Sequence, residues 1–172
     1  MTHNRSGSAP FEFIHRQDLH LLPSSVLENE IHLHGGFASD TRTGFGQLYY
    51  GMPGSGILRI DPDLGRQELI AVPENLRPMN FHSTKIGSIH GEQRLFLPAN
   101  GNALVAVLHL DGQLDFVLSK PEFEQYQAES AQFAPTDTAL VEHELFVADG
   151  YGSNYISTAD VTQQKWTGIF DS

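Results

Sequence analysis

Four side chains combine a chemically capable type with a place in a repeated pattern: His34, His82, Lys85 and Tyr151. His34 and His82 stand at comparable places in successive repeats. Equivalent positions of a repeat sit at equal radius, so both imidazoles can point toward one central channel. Neutral imidazoles converging there suit zinc or a similar divalent ion. Two protein ligands are too few for a closed site, and histidines bonding backbone at the ends of strands remain the plain alternative. Tyr151 follows Asp149-Gly150 in a tight turn. A phenol there can act as acid or base, or donate a hydrogen bond to a substrate; packing at a channel mouth is the competing role. Lys85 shares a strand with His82 and can meet an anionic substrate, against the commoner lysine habit of snorkelling along the surface. Asp137 and Asp149 can hold an ion or, more commonly for such turns, bond backbone amides.

A second pattern touches the same residues. His32-Leu33-His34 is a His-x-His pair that a strand would place on one face. Cupin barrels bind metal with such a pair, but the glutamate they need downstream is missing here. Cysteine is absent, so thiolate ligands, cysteine nucleophiles and disulfides are excluded. There is no nucleophile elbow, and the glycines between positions 51 and 56 precede no helix, so they are not a nucleotide loop.

The elements that must carry these residues come from an internal repeat. Apolar triplets Leu48-Tyr49-Tyr50, Leu95-Phe96-Leu97 and Leu145-Phe146-Val147 mark it. They recur about every 50 residues, the spacing of propeller blades. Each is followed by a turn rich in Gly, Asn or Pro and then by another β-prone run. An inner strand precedes each triplet, over residues 36–39, 83–89 and 136–141. An outer strand closes each unit, over residues 67–72, 113–118 and 165–170. Asp111-Gly112 is a strong hairpin signal before the second of these. Residues 121–133 read as a loop or one helical turn. No segment carries a long stripe of helical period. The fold expected is all-β: about three four-stranded antiparallel propeller blades, with a β-sandwich as the alternative. The organisation expected is an N-terminal segment (residues 1–30) with a closing strand at Phe11-Glu12-Phe13-Ile14, then blades over residues 31–75, 76–120 and 134–172.

Bulk properties narrow the partners. Hydrophobic residues make up 40% and charged residues 18%, a globular balance. The formal charge of −11 repels phosphate backbones, which argues against nucleic acid. No apolar run is long enough to cross a bilayer as a helix, so no membrane role is expected. Residues 1–10 are polar and lack the apolar core of a signal peptide, which favours the cytoplasm.

The most specific stretch is Pro135-Thr136-Asp137-Thr138-Ala139-Leu140 followed by Leu145-Phe146-Val147-Ala148-Asp149-Gly150-Tyr151-Gly152-Ser153-Asn154. Over these residues the chain resembles a blade of the NHL-repeat, six-bladed β-propellers, and within them the peptidyl-α-hydroxyglycine α-amidating lyase domain. The resemblance implies about half of a six-bladed ring, Tyr151 at an active site, and zinc held by histidines at the starts of inner strands, here His82 and His34. Two positions depart from the family. Gly152 stands where it has a cysteine, and Tyr155 where it has an arginine. The later blades, with further zinc histidines and a catalytic arginine, fall outside these residues.

The functional expectation is a metal-dependent lyase-like or hydrolytic module. A divalent metal, zinc favoured, would sit near His34 and His82, with Tyr151 and Lys85 as catalytic residues. The alternative is a non-catalytic propeller scaffold that binds a protein, peptide or small molecule. Three blades leave open sheet faces and edges. The chain is therefore expected to be part of a longer one, or to pair as a three-plus-three-blade homodimer.

Overall fold

The computed structural model describes residues 4–27 and 35–171 of the chain. His32 and His34 lie outside the described residues. The three apolar triplets form the second strands of three four-stranded antiparallel sheets. A two-stranded hairpin comes first, β1 (Asn4–Ser8) with β2 (Phe11–His15). A single helical turn, α1 (Ser24–Leu27), follows it. The first sheet runs β3 (Ala38–Ser39), β4 (Leu48–Met52), β5 (Gly56–Ile60), β6 (Gln67–Ile70). The second runs β7 (Lys85–Ile89), β8 (Glu92–Ala99), β9 (Leu104–His109), β10 (Leu114–Ser119). The third runs β11 (Asp137–Val141), β12 (Glu144–Ala148), β13 (Tyr155–Asp160), β14 (Lys165–Asp171). In each sheet spatial order follows chain order, the meander of a propeller blade. Residues 121–133 form a connection with one 3₁₀ turn, Glu124–Tyr126.

Strand alternation explains why each blade needs a neighbour. On β8, Leu95, Leu97 and Ala99 face the first blade, while Phe96 faces the third. On β9, Ala106 and Leu108 point back and Val105 and Val107 point forward. Both faces of the second blade are therefore apolar and buried. Its backward face packs with Tyr49, Ile57, Leu76 and Phe81. Its forward face packs with Leu145, Val147, Ala159 and Val161, and with Tyr126 and Phe133 from the connection. The middle residues of the first two triplets (Tyr49, Phe96) thus point to the following blade and Phe146 to the open front of the third, while the two neighbours of each point to the opposite face.

The two outer faces of this row differ. The back of the first blade, Tyr50, Met52, Leu58 and Ile60, is covered by Leu22 and the buried Val26 of α1. Gln67 on the outermost strand ties down that cover by donating to the Leu19 carbonyl at 2.6 Å. Nothing described covers the front of the third blade, where Val141 is 60% and Phe170 54% exposed. Among the described residues no helix is long and apolar enough to cross a membrane.

Candidate functional site

His82 lies just before β7, where the chain leaves the first blade for the second. An isolated bridge pairs Phe81 with Ala99, and the His82 N–H donates to the Pro98 carbonyl at 2.9 Å. Phe81 is fully buried between the two blades. The backbone of His82 is thus anchored to the end of β8 while its ring extends toward the third blade. Gly35, the residue after His34, packs on the same stretch. A Cβ there would lie 2.9 Å from the Phe81 carbonyl oxygen and 3.1 Å from that of His82, so only glycine allows this approach.

Two contacts orient the imidazole. Nδ1 is 2.9 Å from the Thr136 carbonyl, and Nε2 is 3.3 Å from the Tyr151 hydroxyl. A carbonyl only accepts, so in the neutral ring Nδ1 carries the proton and donates it to Thr136. The Nε2 lone pair then faces Tyr151 and accepts from its hydroxyl. The two rings meet edge to face, with centroids 5.0 Å apart. A carbonyl that fixes the tautomer of a histidine is the usual outer partner of a metal-binding imidazole.

Tyr151 is positioned by the turn that follows β12. Asp149, 1% exposed, is the anchor of that turn. Its carboxylate accepts from the Ala134 N–H at 2.7 Å, the Ser153 N–H at 2.8 Å and the Tyr126 hydroxyl at 3.0 Å. Of its two roles open from the sequence, Asp149 takes that of bonding backbone amides. Burial pushes the Tyr126 phenol up from its ordinary value, and the Asp149 charge adds to the shift. Gly152 is required: a Cβ there would fall 2.2 Å from the Asp149 carboxylate and 2.4 Å from the Gln132 carbonyl. Where the lyase family has a cysteine, this chain thus has a position that accommodates no side chain. The Tyr151 N–H reaches the Ala134 carbonyl at 3.4 Å, and its side chain is 57% exposed.

Lys85 is engaged with Asp137 at 3.2 Å, on the inner strands of adjacent blades. Burial pushes the Asp137 carboxyl up, but the nearby Ser83 hydroxyl, the Thr138 N–H and the Lys85 ammonium outweigh it and hold the group below its ordinary value. Asp137 follows Thr136, so this ion pair braces the segment whose carbonyl holds His82. The structure therefore brings His82 and Tyr151 into direct contact and places Lys85 one link away.

Two contributors had no signal in side-chain type. The Thr136 group that matters is a backbone carbonyl. Tyr126 sits in the connection read as a loop, and its bond to Asp149 depends on how that connection folds back. Among the described residues, no three His, Asp or Glu side chains gather as a metal site. An open groove of about 460 Å³ lies between the outer strands of the second and third blades, lined in part by Lys120, Lys165 and Trp166. It shares no residue with the His82–Tyr151 pair.

No family model matches the chain. No curated protein matches it either. Among solved structures, the chain is similar to apo AztD from Citrobacter koseri, with a TM-score of 0.37 and 13% identity over 82% of this chain and 46% of that one. A second structure of Citrobacter koseri AztD matches with a TM-score of 0.38 and 12% identity over the same shares. The chain thus spans about half the length of these structures, and its propeller-like character rests on its own three meander sheets.

Proposed function

We propose that this chain is a propeller module whose mouth binds a divalent cation, zinc before others, through His82, and that Tyr151 handles a proton on a small polar ligand held there. The observation that carries this reading is the Thr136 carbonyl on Nδ1. It commits Nε2 to the acceptor state that a metal requires. The donor set also fits. Nε2 and the Tyr151 oxygen are 3.3 Å apart. That is about one edge of a tetrahedron drawn with zinc–ligand distances of about 2.0–2.1 Å. His34 is the proposed further ligand, supported by the packing of its neighbour Gly35 against the backbone of Phe81 and His82. Remaining positions would fall to the ligand, and to groups beyond those described.

A bound cation would supply Lewis acidity to an oxygen of that ligand. Tyr151 would give a proton to that oxygen or take one from it, which is the lyase-like or hydrolytic reading. Lys85, paired with Asp137, would position Thr136 and offer its charge to an anionic group. Competition titration of the metal-stripped chain with zinc tests the reading. Tight binding that weakens at least about tenfold in His82→Ala supports it. Equal affinity in His82→Ala overturns it and favours the scaffold reading, in which the same mouth binds a protein, peptide or small molecule without metal.

A further inference from the structure

Acidic side chains outnumber basic ones in this chain, 21 to 10. All seven arginines and Lys85 pair with a carboxylate. Lys120 and Lys165 are the exceptions: among the described residues no carboxylate meets either ammonium. Both line the groove of about 460 Å³ between the second and third blades, one from each blade. Lys120 directly follows β10, and Lys165 opens β14. Asp160 stands opposite Lys165 in register, yet its carboxylate turns to Thr162 and Gln163. Lys120 donates to the Ala131 carbonyl at 3.0 Å and lies 5.7 Å from the centre of the Tyr126 ring. These contacts fix the Lys120 ammonium and leave N–H donors unused.

Aromatic surface lies beside the two lysines. Trp166 is fixed by its indole N–H, which donates to the Ser119 carbonyl at 2.8 Å, and by an edge-to-face contact with Phe133. Phe123, Val117 and Leu118 extend the apolar lining. Glu122 lines the groove as well, so two lysines and one glutamate leave it a single net positive charge. We propose that this groove binds a small aromatic carboxylate of one negative charge. Its flat body lies on Trp166 and Phe123. Its carboxylate accepts charge-assisted hydrogen bonds from Lys120 and Lys165. The volume is that of a small-molecule pocket. With a formal charge of −11, the rest of the surface repels such an anion, and the groove is where lysines without a carboxylate retain it. A phosphate ester would bring a second negative charge against Glu122. The groove shares no residue with His82 and Tyr151, so this site stands apart from the cation site proposed above.

Trp166 is the only tryptophan, so its emission reports on the groove directly. Phenylacetate is the probe, titrated into the zinc-free 172-residue chain, with phenylacetamide as its neutral counterpart. Binding is followed by Trp166 emission and by the amide NMR shifts of residues 117–123 and 164–166. Phenylacetate should saturate with a dissociation constant on the order of millimolar, as suits a ligand of about ten non-hydrogen atoms. Phenylacetamide should bind at least about tenfold more weakly. Lys120→Gln and Lys165→Gln should each weaken phenylacetate at least about threefold, and Lys165→Arg should retain it. Circular dichroism establishes that each variant folds. No saturable response, equal affinity for the amide, or unchanged affinity in both glutamine variants overturns the proposal. Shifts confined to residues 81–85 and 136–151 overturn it too, because the anion then sits at the His82 mouth.

Discussion

Nε2 of His82 and the hydroxyl of Tyr151 meet at 3.3 Å across 69 residues of chain. They belong to different parts of the chain, and each has anchors besides the other. His82 is set by the end of β8 and by the Thr136 carbonyl, and Tyr151 by a turn built around a buried carboxylate. A contact whose two sides are positioned independently is preorganised, which is what a binding site requires.

Removing the Tyr151 hydroxyl should separate function from folding. The side chain is largely exposed, so Tyr151→Phe should change stability by no more than about 0.5 kcal/mol. It should nevertheless alter ligand or metal binding at His82. Denaturant unfolding alongside zinc titration reads both quantities.

Asp149 should behave in the opposite way. Its carboxylate is buried and accepts from two backbone N–H groups and from Tyr126. Asp149→Ala takes this acceptor from the Ala134 N–H and the Tyr126 hydroxyl, while the Ser153 N–H keeps the Gln132 carbonyl, and should cost at least about 3 kcal/mol. Urea unfolding measures the loss, and the disordered turn should carry Tyr151 away from His82.

The triplet position offers a matched pair. Phe96→Ala empties a fully buried site between the second and third blades and should cost about 3–5 kcal/mol. Phe146→Ala sits at the same repeat position on the open face. It should cost less than half as much. Similar losses would mean that the third blade is covered within one chain.

Acid should destabilise the fold through a few carboxylates. The Arg42 guanidinium, bonded to Asp40 at 2.6 Å, holds that carboxyl below its ordinary value against the cost of burial. Hydrogen bonds led by the Thr162 hydroxyl hold Asp160 down to about 2. A group with a depressed folded pKa contributes stability above its unfolded value, about 3.9. That contribution drains as pH falls through the folded values, because the unfolded chain binds protons first. Carboxyl NMR titration should place both midpoints below 3.9, and Arg42→Gln should move that of Asp40 upward.

Much of the fold was legible because propeller blades repeat. The triplets at 48–50, 95–97 and 145–147 all lie in second strands, and the turn signals after Ile60 and His109 fall between third and fourth strands. Phe11-Glu12-Phe13-Ile14 is a strand, as its composition suggested. Inner strands came out shorter than read, Ala38–Ser39 above all. The cover of the first blade by Val26 was not legible, since a single helical turn has no period to detect. The site was legible as residue types, through His82 and Tyr151, but not as a bonding pattern. The Thr136 carbonyl and the fold-back of Tyr126 depend on tertiary placement, and neither leaves a mark in side-chain spacing.

The most direct measurement is long-range ¹H–¹⁵N NMR of the His82 ring, with and without zinc. A proton on Nδ1, a bare nitrogen resonance at Nε2 and a large shift of Nε2 alone on addition of zinc are expected. A proton on Nε2 in the neutral ring, or a His82 spectrum that zinc leaves unchanged, would contradict the proposed site.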